Sequence, residues 1–166
     1  MIAQPARFIR SFALIITVLW LGSACSSTPG QHPSQNPGMT QVSRPASSGE
    51  RAASVALRQV GVPYRYGGTN PRGFDCSGLV QYSYSKAGVS VARTTAQLWA
   101  TTRTVDPRNL RIGDLLFFKF DGKMSHVGMY IGKQRFVHAP SSGRTVTVAS
   151  LNSSFYQAAF LRAGRP

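Results

Sequence analysis

Apolar residues recur at helical spacing over the first half of residues 47–166 and at a period of two over the second half. This change of period sets the fold class. Ser47-Ser48-Gly49-Glu50 has the Ser-x-x-Glu spacing of a capping box, Ala53, Ala56, Leu57 and Val60 follow as apolar positions, and Gly61 stops the run. The spacing predicts a first helix there. A second runs from about Cys76 to Ala87 and ends at Gly88. A short third covers Thr95 to Thr101, with Thr94 or Thr95 as cap and Leu98 and Trp99 as its apolar face. Between the first two lies a loop rich in turn formers, Pro63 to Gly73. Further on, Asp114 to Phe120, Val127 to Ile131, Arg135 to Ala139 and Thr145 to Val148 alternate and read as strands. Helices first and strands afterwards is an α+β pattern, with the N-terminal helices packed on one face of an antiparallel β-sheet.

Residues 1–24 have the pattern of an export leader. Arg7 and Arg10 form a positive start, Phe12 to Leu21 a short apolar core, and Gly22-Ser23-Ala24 are small residues before Cys25. The apolar run is too short for a comfortable membrane span. Leu21 to Ser27 resembles a bacterial lipobox with Cys25 as the lipidated residue, although Gly22 stands three places before the cysteine where Leu is usual. Ordinary signal cleavage, giving a secreted protein, is the alternative. By resemblance to Gram-negative lipoproteins, Ser26 after the lipidated cysteine implies a periplasmic protein anchored to the outer membrane. Residues 25–46 are rich in Ser, Pro, Gly and Gln with almost no large apolar side chains, the composition of a disordered tether. Residues 47–166 suit one small domain, expected to be monomeric.

Charge narrows the partners. Of 19 Lys and Arg only Arg7 and Arg10 fall in the leader, so 17 cations face five acids (Glu50, Asp75, Asp106, Asp114 and Asp121), a net +12. So basic a chain calls for an anionic partner. The leader removes it from the compartment that holds nucleic acid. That leaves anionic lipid, lipopolysaccharide and the carboxylate-rich peptides of the cell wall, beside the plainer reading of a soluble basic surface.

With Cys25 assigned to the anchor, Cys76 is the one cysteine of the domain, hence a buried small hydrophobe or a reactive group. It sits in Gly73-Phe74-Asp75-Cys76-Ser77-Gly78-Leu79, where Asp75 is a good N-cap. At a helix start, free N–H groups and the positive end of the helix dipole stabilise a thiolate. The domain holds two histidines, both in strands. Alternation in Ser125 to Ile131 puts Val127, Met129 and Ile131 on a core-like face and His126, Gly128 and Tyr130 on the other, so His126 is expected to face something polar. The turn at Gly132-Lys133-Gln134 decides His138. A two-residue loop pairs Ile131 with Gln134 and puts His138 on the face opposite His126; a three-residue loop pairs Ile131 with Arg135 and sets His138 opposite Gly128, diagonal to His126 on the same face. The chemistry favours the second register, in which His138 orients His126 through a ring hydrogen bond. Cys76 and the two histidines would supply three zinc ligands, but no fourth ligand or Cys-x-x-Cys pair accompanies them, and no metal or cofactor is expected.

Five segments, Pro63-Tyr64-Arg65-Tyr66-Gly67-Gly68, Asp75-Cys76-Ser77-Gly78-Leu79-Val80, Leu110 to Leu115, Ser125 to Gly132 and Phe136-Val137-His138-Ala139, resemble in order the motifs of the NlpC/P60 cell-wall cysteine peptidases. The match spans about residue 50 to the C-terminus. The resemblance implies a compact papain-like fold, Cys76 as nucleophile, His126 as general base, His138 as the orienting residue, and Tyr64 helping to stabilise the oxyanion together with the Cys76 N–H. It brings Asp75, Ser77 and Arg93 as candidate substrate contacts. Arg93 matches an arginine near the active site of the MepS-type murein endopeptidase lipoproteins, the subgroup this chain is most similar to. Those cut the D-alanyl–diaminopimelate cross-link, the activity expected here. Cleavage between D-glutamyl and diaminopimelate within one stem is the second expectation. Rivals from other classes are a non-catalytic cationic wall-binding lipoprotein and an amidase or acyltransferase.

Overall fold

The computed structural model describes residues 44–166. The leader, Cys25 and most of the expected tether lie outside the described residues; Arg44, Pro45 and Ala46 are exposed and have no regular secondary structure.

The helices follow the capping signals. α1 (Ser48–Leu57) starts from a full capping box: Ser47 Oγ accepts from Glu50 N–H at 3.2 Å, and Glu50 Oε2 accepts from Ser47 N–H at 2.6 Å. It buries Ala52, Ala53, Val55 and Ala56, small side chains that let it lie close to its neighbours. It ends at Leu57, one turn short of the apolar run, and leaves Leu57 and Val60 exposed. α2 (Cys76–Lys86) packs on α1 and on the sheet, burying Leu79, Val80 and Tyr84. α3 (Thr95–Thr101) has a second capping box, between Thr94 and Gln97, and buries Leu98.

Between α1 and α2 lies a two-stranded ribbon, β1 (Thr69–Asn70) with β2 (Gly73–Phe74). The remaining strands are β3 (Arg103–Val105), β4 (Leu115–Phe120), β5 (Lys123–Gly132), β6 (Arg135–His138), β7 (Thr147–Ser150) and β8 (Phe160–Arg165), with α4 (Ser154–Ala159) before the last. They form one six-stranded antiparallel sheet in the order β3-β8-β4-β5-β6-β7. The chain is α+β, with the three N-terminal helices on one sheet face.

β3, α4 and β8 have no counterpart among the elements read from the pattern. β8 is a central strand that carries Arg162, Gly164 and Arg165. Each arginine is satisfied by a distant partner. Arg162 stacks on the rings of Trp99 and Phe117, with its guanidinium carbon 4.1 and 5.1 Å from their centroids. Arg165 forks onto buried Asp114 at 2.6 and 2.7 Å. The Leu110 to Leu115 motif is therefore a structural lock: Asp114 takes this fork together with the Arg111 N–H, and Gly113 O accepts from the Tyr84 hydroxyl.

The sheet buries both faces. Phe117, Val127, Met129 and Val137 meet the helices, whereas Leu116, Phe118, Tyr130, Phe136 and Ala163 form a second core with α4 and Phe160. His126 projects on this second side. There it meets His138 and the polar lining of a cavity, and aromatic rings as well, because the sheet is covered on both faces.

Candidate active site

Cys76 is the first residue of α2, and its position is built by hydrogen bonds to Asp75. The carboxylate of Asp75 caps the helix through Gly78 N–H at 2.6 Å, and it also accepts from Gly67 N–H at 3.0 Å in the preceding loop. Gly78 packs directly against the carbonyl of Gly68, leaving no room for a Cβ, so the two glycines let the loop close over the helix start. In the same loop Phe74 N–H donates to Pro63 O, Arg65 N–H to Phe74 O and Asp75 N–H to Gly68 O. These bonds carry Tyr64 alongside the residues leading to Cys76, and Tyr64 bridges to Phe74. Cys76 is half-buried, and its Sγ lies 3.6 Å from Thr95 Oγ1 at the start of α3.

The histidines come from the β5–β6 hairpin. Tyr130 pairs with Phe136 and Met129 with Val137, which sets His138 across from Gly128 and on the face of His126. The turn reaches this register by a route different from the three-residue loop considered above. Lys133 and Gln134 both take positive φ (52° and 54°), the geometry of a tight two-residue turn, and Gly132 pairs with Arg135. The register then shifts between Tyr130 and Gly132, and this bulge returns His138 to the His126 side. His126 Nε2 lies 2.8 Å from His138 Nδ1, and His138 Nε2 lies 3.4 Å from the Tyr156 hydroxyl on α4. A Cβ at Gly128 would stand 2.5 Å from the Phe136 ring and 3.4 Å from His138 Cβ, so glycine opens the space the pair occupies.

Tyr64, Cys76, His126, His138, Arg144 and Tyr156 line one open cavity of about 740 Å³. A thiol at a helix start and a hydrogen-bonded imidazole pair thus share one cleft with a tyrosine hydroxyl on each side. Residues 61–165 match the family described as NlpC/P60, a stretch that takes in all of these groups. The chain belongs to the NlpC/P60 family. It is similar to the murein DD-endopeptidase MepH of Escherichia coli, at 35% identity over 70% of this chain and 46% of MepH. It is also similar to the bifunctional muramidase/DL-endopeptidase CwlT of Bacillus subtilis, at 38% identity over 70% of this chain and 36% of CwlT. A crystal structure of an NlpC/P60 family protein from Bacillus cereus superimposes with a TM-score of 0.68 at 32% identity, covering 73% of this chain and 41% of that one. The chain therefore spans less than half the length of each of these relatives.

Within this NlpC/P60 domain, Asp75, Ser77 and Arg93, the expected substrate contacts, bond to one another and brace the helix start. Arg93 forks onto Asp75 at 3.0 and 2.6 Å and donates to Ser77 Oγ at 3.0 Å; Ser77 is buried, and none of the three lines the cavity. Their polar atoms meet one another because Asp75 accepts from the helix, the loop and the guanidinium at once. Thr95 at the thiol, Tyr156 at His138 and Arg144 in the cavity were not read from the sequence. Tyr156 and Arg144 fall in segments without a clear period. Thr95 was read only as a helix cap. Among the described residues no three His, Cys, Asp or Glu side chains converge to hold a metal ion.

Burial governs the electrostatics. The rings of Phe118, Phe120 and Phe136 surround the two imidazoles, with centroids 6.1 and 5.7 Å from His126 and 4.9 Å from His138 respectively. Desolvation pushes both imidazoles well below the ordinary 6.5; the neighbouring ring adds to this at His126, and the Arg144 charge adds to it at His138. Both are neutral in the resting site at pH 7, as a general base must be. Burial, with the Asp75 carboxylate adding to it, pushes the Tyr64 hydroxyl up, which keeps it a proton donor.

A stability prediction follows from the histidine pair. In the unfolded chain each imidazole binds its proton near 6.5, and in the folded chain only at much lower pH. Acidification therefore loads the unfolded state first: this contribution is complete above about 6.5 and declines as the pH falls below it. Denaturant unfolding of residues 44–166 at stepped pH should show stability falling between pH 6.5 and about 4. His138→Asn should flatten that slope. A slope that His138→Asn leaves unchanged would mean that His138 contributes nothing to it.

Proposed function

We propose that this protein is a cell-wall endopeptidase that hydrolyses peptide bonds of peptidoglycan stem peptides by a Cys-His-His thiol mechanism. The observation that carries the proposal is the shared cleft of Cys76, at the capped start of α2, and the His126–His138 pair held by the bulged hairpin.

His126 Nε2 is occupied by His138, so Nδ1 is the atom left to take the thiol proton. That assigns the tautomers. His126 carries its proton on Nε2 and donates it to His138 Nδ1; His138 is then protonated on Nε2 and donates to the Tyr156 hydroxyl oxygen. As Cys76 Sγ attacks the carbonyl carbon, its proton passes to His126 Nδ1 and the carbonyl electrons move onto oxygen. The Cys76 N–H, at the positive end of α2, and the Tyr64 hydroxyl are the donors for that oxyanion. His126 returns the proton to the leaving amine as the C–N bond breaks, leaving a thioester on Cys76. Water, deprotonated by His126, then attacks the thioester; the C–S bond breaks and the thiol is restored.

The bond we assign is the D-alanyl–diaminopimelate cross-link, which fits the similarity to a murein DD-endopeptidase. Cleavage between D-glutamyl and diaminopimelate is the second reading, favoured by the similarity to a DL-endopeptidase at 38% identity. Anchoring through Cys25 to the periplasmic face of the outer membrane completes the proposal, with secretion as the alternative. Digestion of purified cross-linked and uncross-linked muropeptides, with products weighed by mass spectrometry, separates the readings. Dimers converted to monomers support the first, stems shortened at D-glutamate support the second, and intact muropeptides in both pools overturn both.

A further inference from the structure

Arg144 is a cation of the cleft that has no partner among the described residues. Arg93 is held by Asp75, Arg162 by the rings of Trp99 and Phe117, and Arg165 by Asp114. Arg144 lines the same cavity as Cys76 and His126, and among the described residues its side chain makes no hydrogen bond or ion pair. Lys119 and Asp121 also line that cavity, so its lining carries two cations against one acid.

The backbone under this side chain is fixed although the side chain is exposed. Tyr64 N–H donates to Arg144 O at 2.8 Å, Arg144 N–H donates to Ser141 O at 3.2 Å, and Val146 N–H donates to Val62 O at 2.8 Å. Pro63 bridges to Thr145 in antiparallel fashion. The segment that carries the cation is thus stitched to the segment that carries Tyr64, and the loop reaches it from His138 through the turn at Gly143, where φ is +77°. The charge is felt at His138 and Tyr156: it adds to burial in holding His138 down, and it opposes burial at Tyr156.

We propose that Arg144 binds a free carboxylate of the substrate peptide, so that acidic stem peptides are selected by a cation carried on a fixed segment of the cavity that holds the thiol. This subsite rests on the endopeptidase reading above. It also takes over the carboxylate role expected of Arg93, whose fork is engaged by Asp75. A guanidinium grips a carboxylate through two parallel bonds, which lysine cannot reproduce.

The test uses a cross-linked muropeptide with free carboxylates and its amidated counterpart. In a Cys76→Ala chain, Arg144→Gln should weaken calorimetric binding of the free-carboxylate peptide about tenfold and leave the amidated peptide unchanged. Arg144→Lys should fall between, and added salt should shrink the difference. In the active chain, Arg144→Gln should raise KM by about the same factor with kcat within about twofold. Arg93→Lys, acting through the helix start, should impair both peptides alike. Equal loss on both peptides with Arg144→Gln, a loss in kcat alone, or no loss would overturn the subsite. A Cys76→Ala chain that binds neither peptide would overturn it too. If the Cys76→Ala chain discriminates the two peptides while the active chain cleaves neither, the endopeptidase reading fails and the subsite stands.

Discussion

Replacing Cys76 by Ala is expected to abolish muropeptide cleavage, to below about one part in 10³ of the parent rate, while the domain remains folded. Cys76 is half-buried at the first position of α2, and the bonds that place it belong to its neighbours: Asp75 caps Gly78 and holds Gly67 and Arg93. Removing Sγ deletes one 3.6 Å contact with Thr95 Oγ1 and little packing. Unfolding midpoints should therefore coincide within about 1 kcal/mol. Cys76→Ser should be equally inactive. A hydroxyl is a weaker nucleophile than a thiol, and the neutral His126 was placed to serve the thiol. A Cys76→Ala chain that still releases monomers from cross-linked muropeptides would sink the thiol mechanism and everything built on it.

The second large effect is a ranking at the histidine pair. His126→Ala should lose about 10²–10⁴-fold in kcat/KM, the range of a missing general base. His138 acts through His126, so His138→Ala should cost less, roughly 10²-fold. The geometry separates two conservative variants. His138 meets His126 through Nδ1, and the amide oxygen of Asn falls near that position whereas that of Gln reaches past it. Asn accepts the His126 Nε2 proton and preserves the tautomer; Gln is expected to recover only part of the rate and Ala least. A merely structural role for His138 would make all three variants alike in kcat/KM, and would leave the pH profile of kcat/KM in the shape of the parent's. A result in which Gln exceeds Asn would mean that the ring meets His126 through its other nitrogen.

Local chemistry was readable wherever the deciding partners lie within a few residues. The capping boxes at Ser47 and Thr94, the helix start at Cys76 with its Asp75 cap, and the strands β4 to β7 are set by side chains three or four positions away or by short apolar runs between turns. The family was readable because its motifs combine such local devices. The His126–His138 register was posed by the sequence as a choice between two loops. The structure resolves it with a device that neither contained, a tight turn at two non-glycine residues followed by a bulge. Positive φ at Lys133 and Gln134 has no signal in side-chain type, since the sheet on either side imposes it.

What only the tertiary structure decided depends on partners far along the chain. β8 reads as polar because two of its residues are arginines, and it becomes a central strand only once Trp99, Phe117 and Asp114 are brought to them. Arg93 reads as an available cation until Asp75, eighteen residues earlier, is seen to take its fork. Tyr156, eighteen residues after His138, has no periodic neighbour that would mark it, and it reaches the imidazole only because α4 is laid across the second sheet face. By itself the sequence determined the helix that raises the thiol, the strands that carry the histidines and the family to which they belong. The fold decided which charges are already paired and which stay free in the cleft, because pairing is a property of distance in space rather than of separation along the chain.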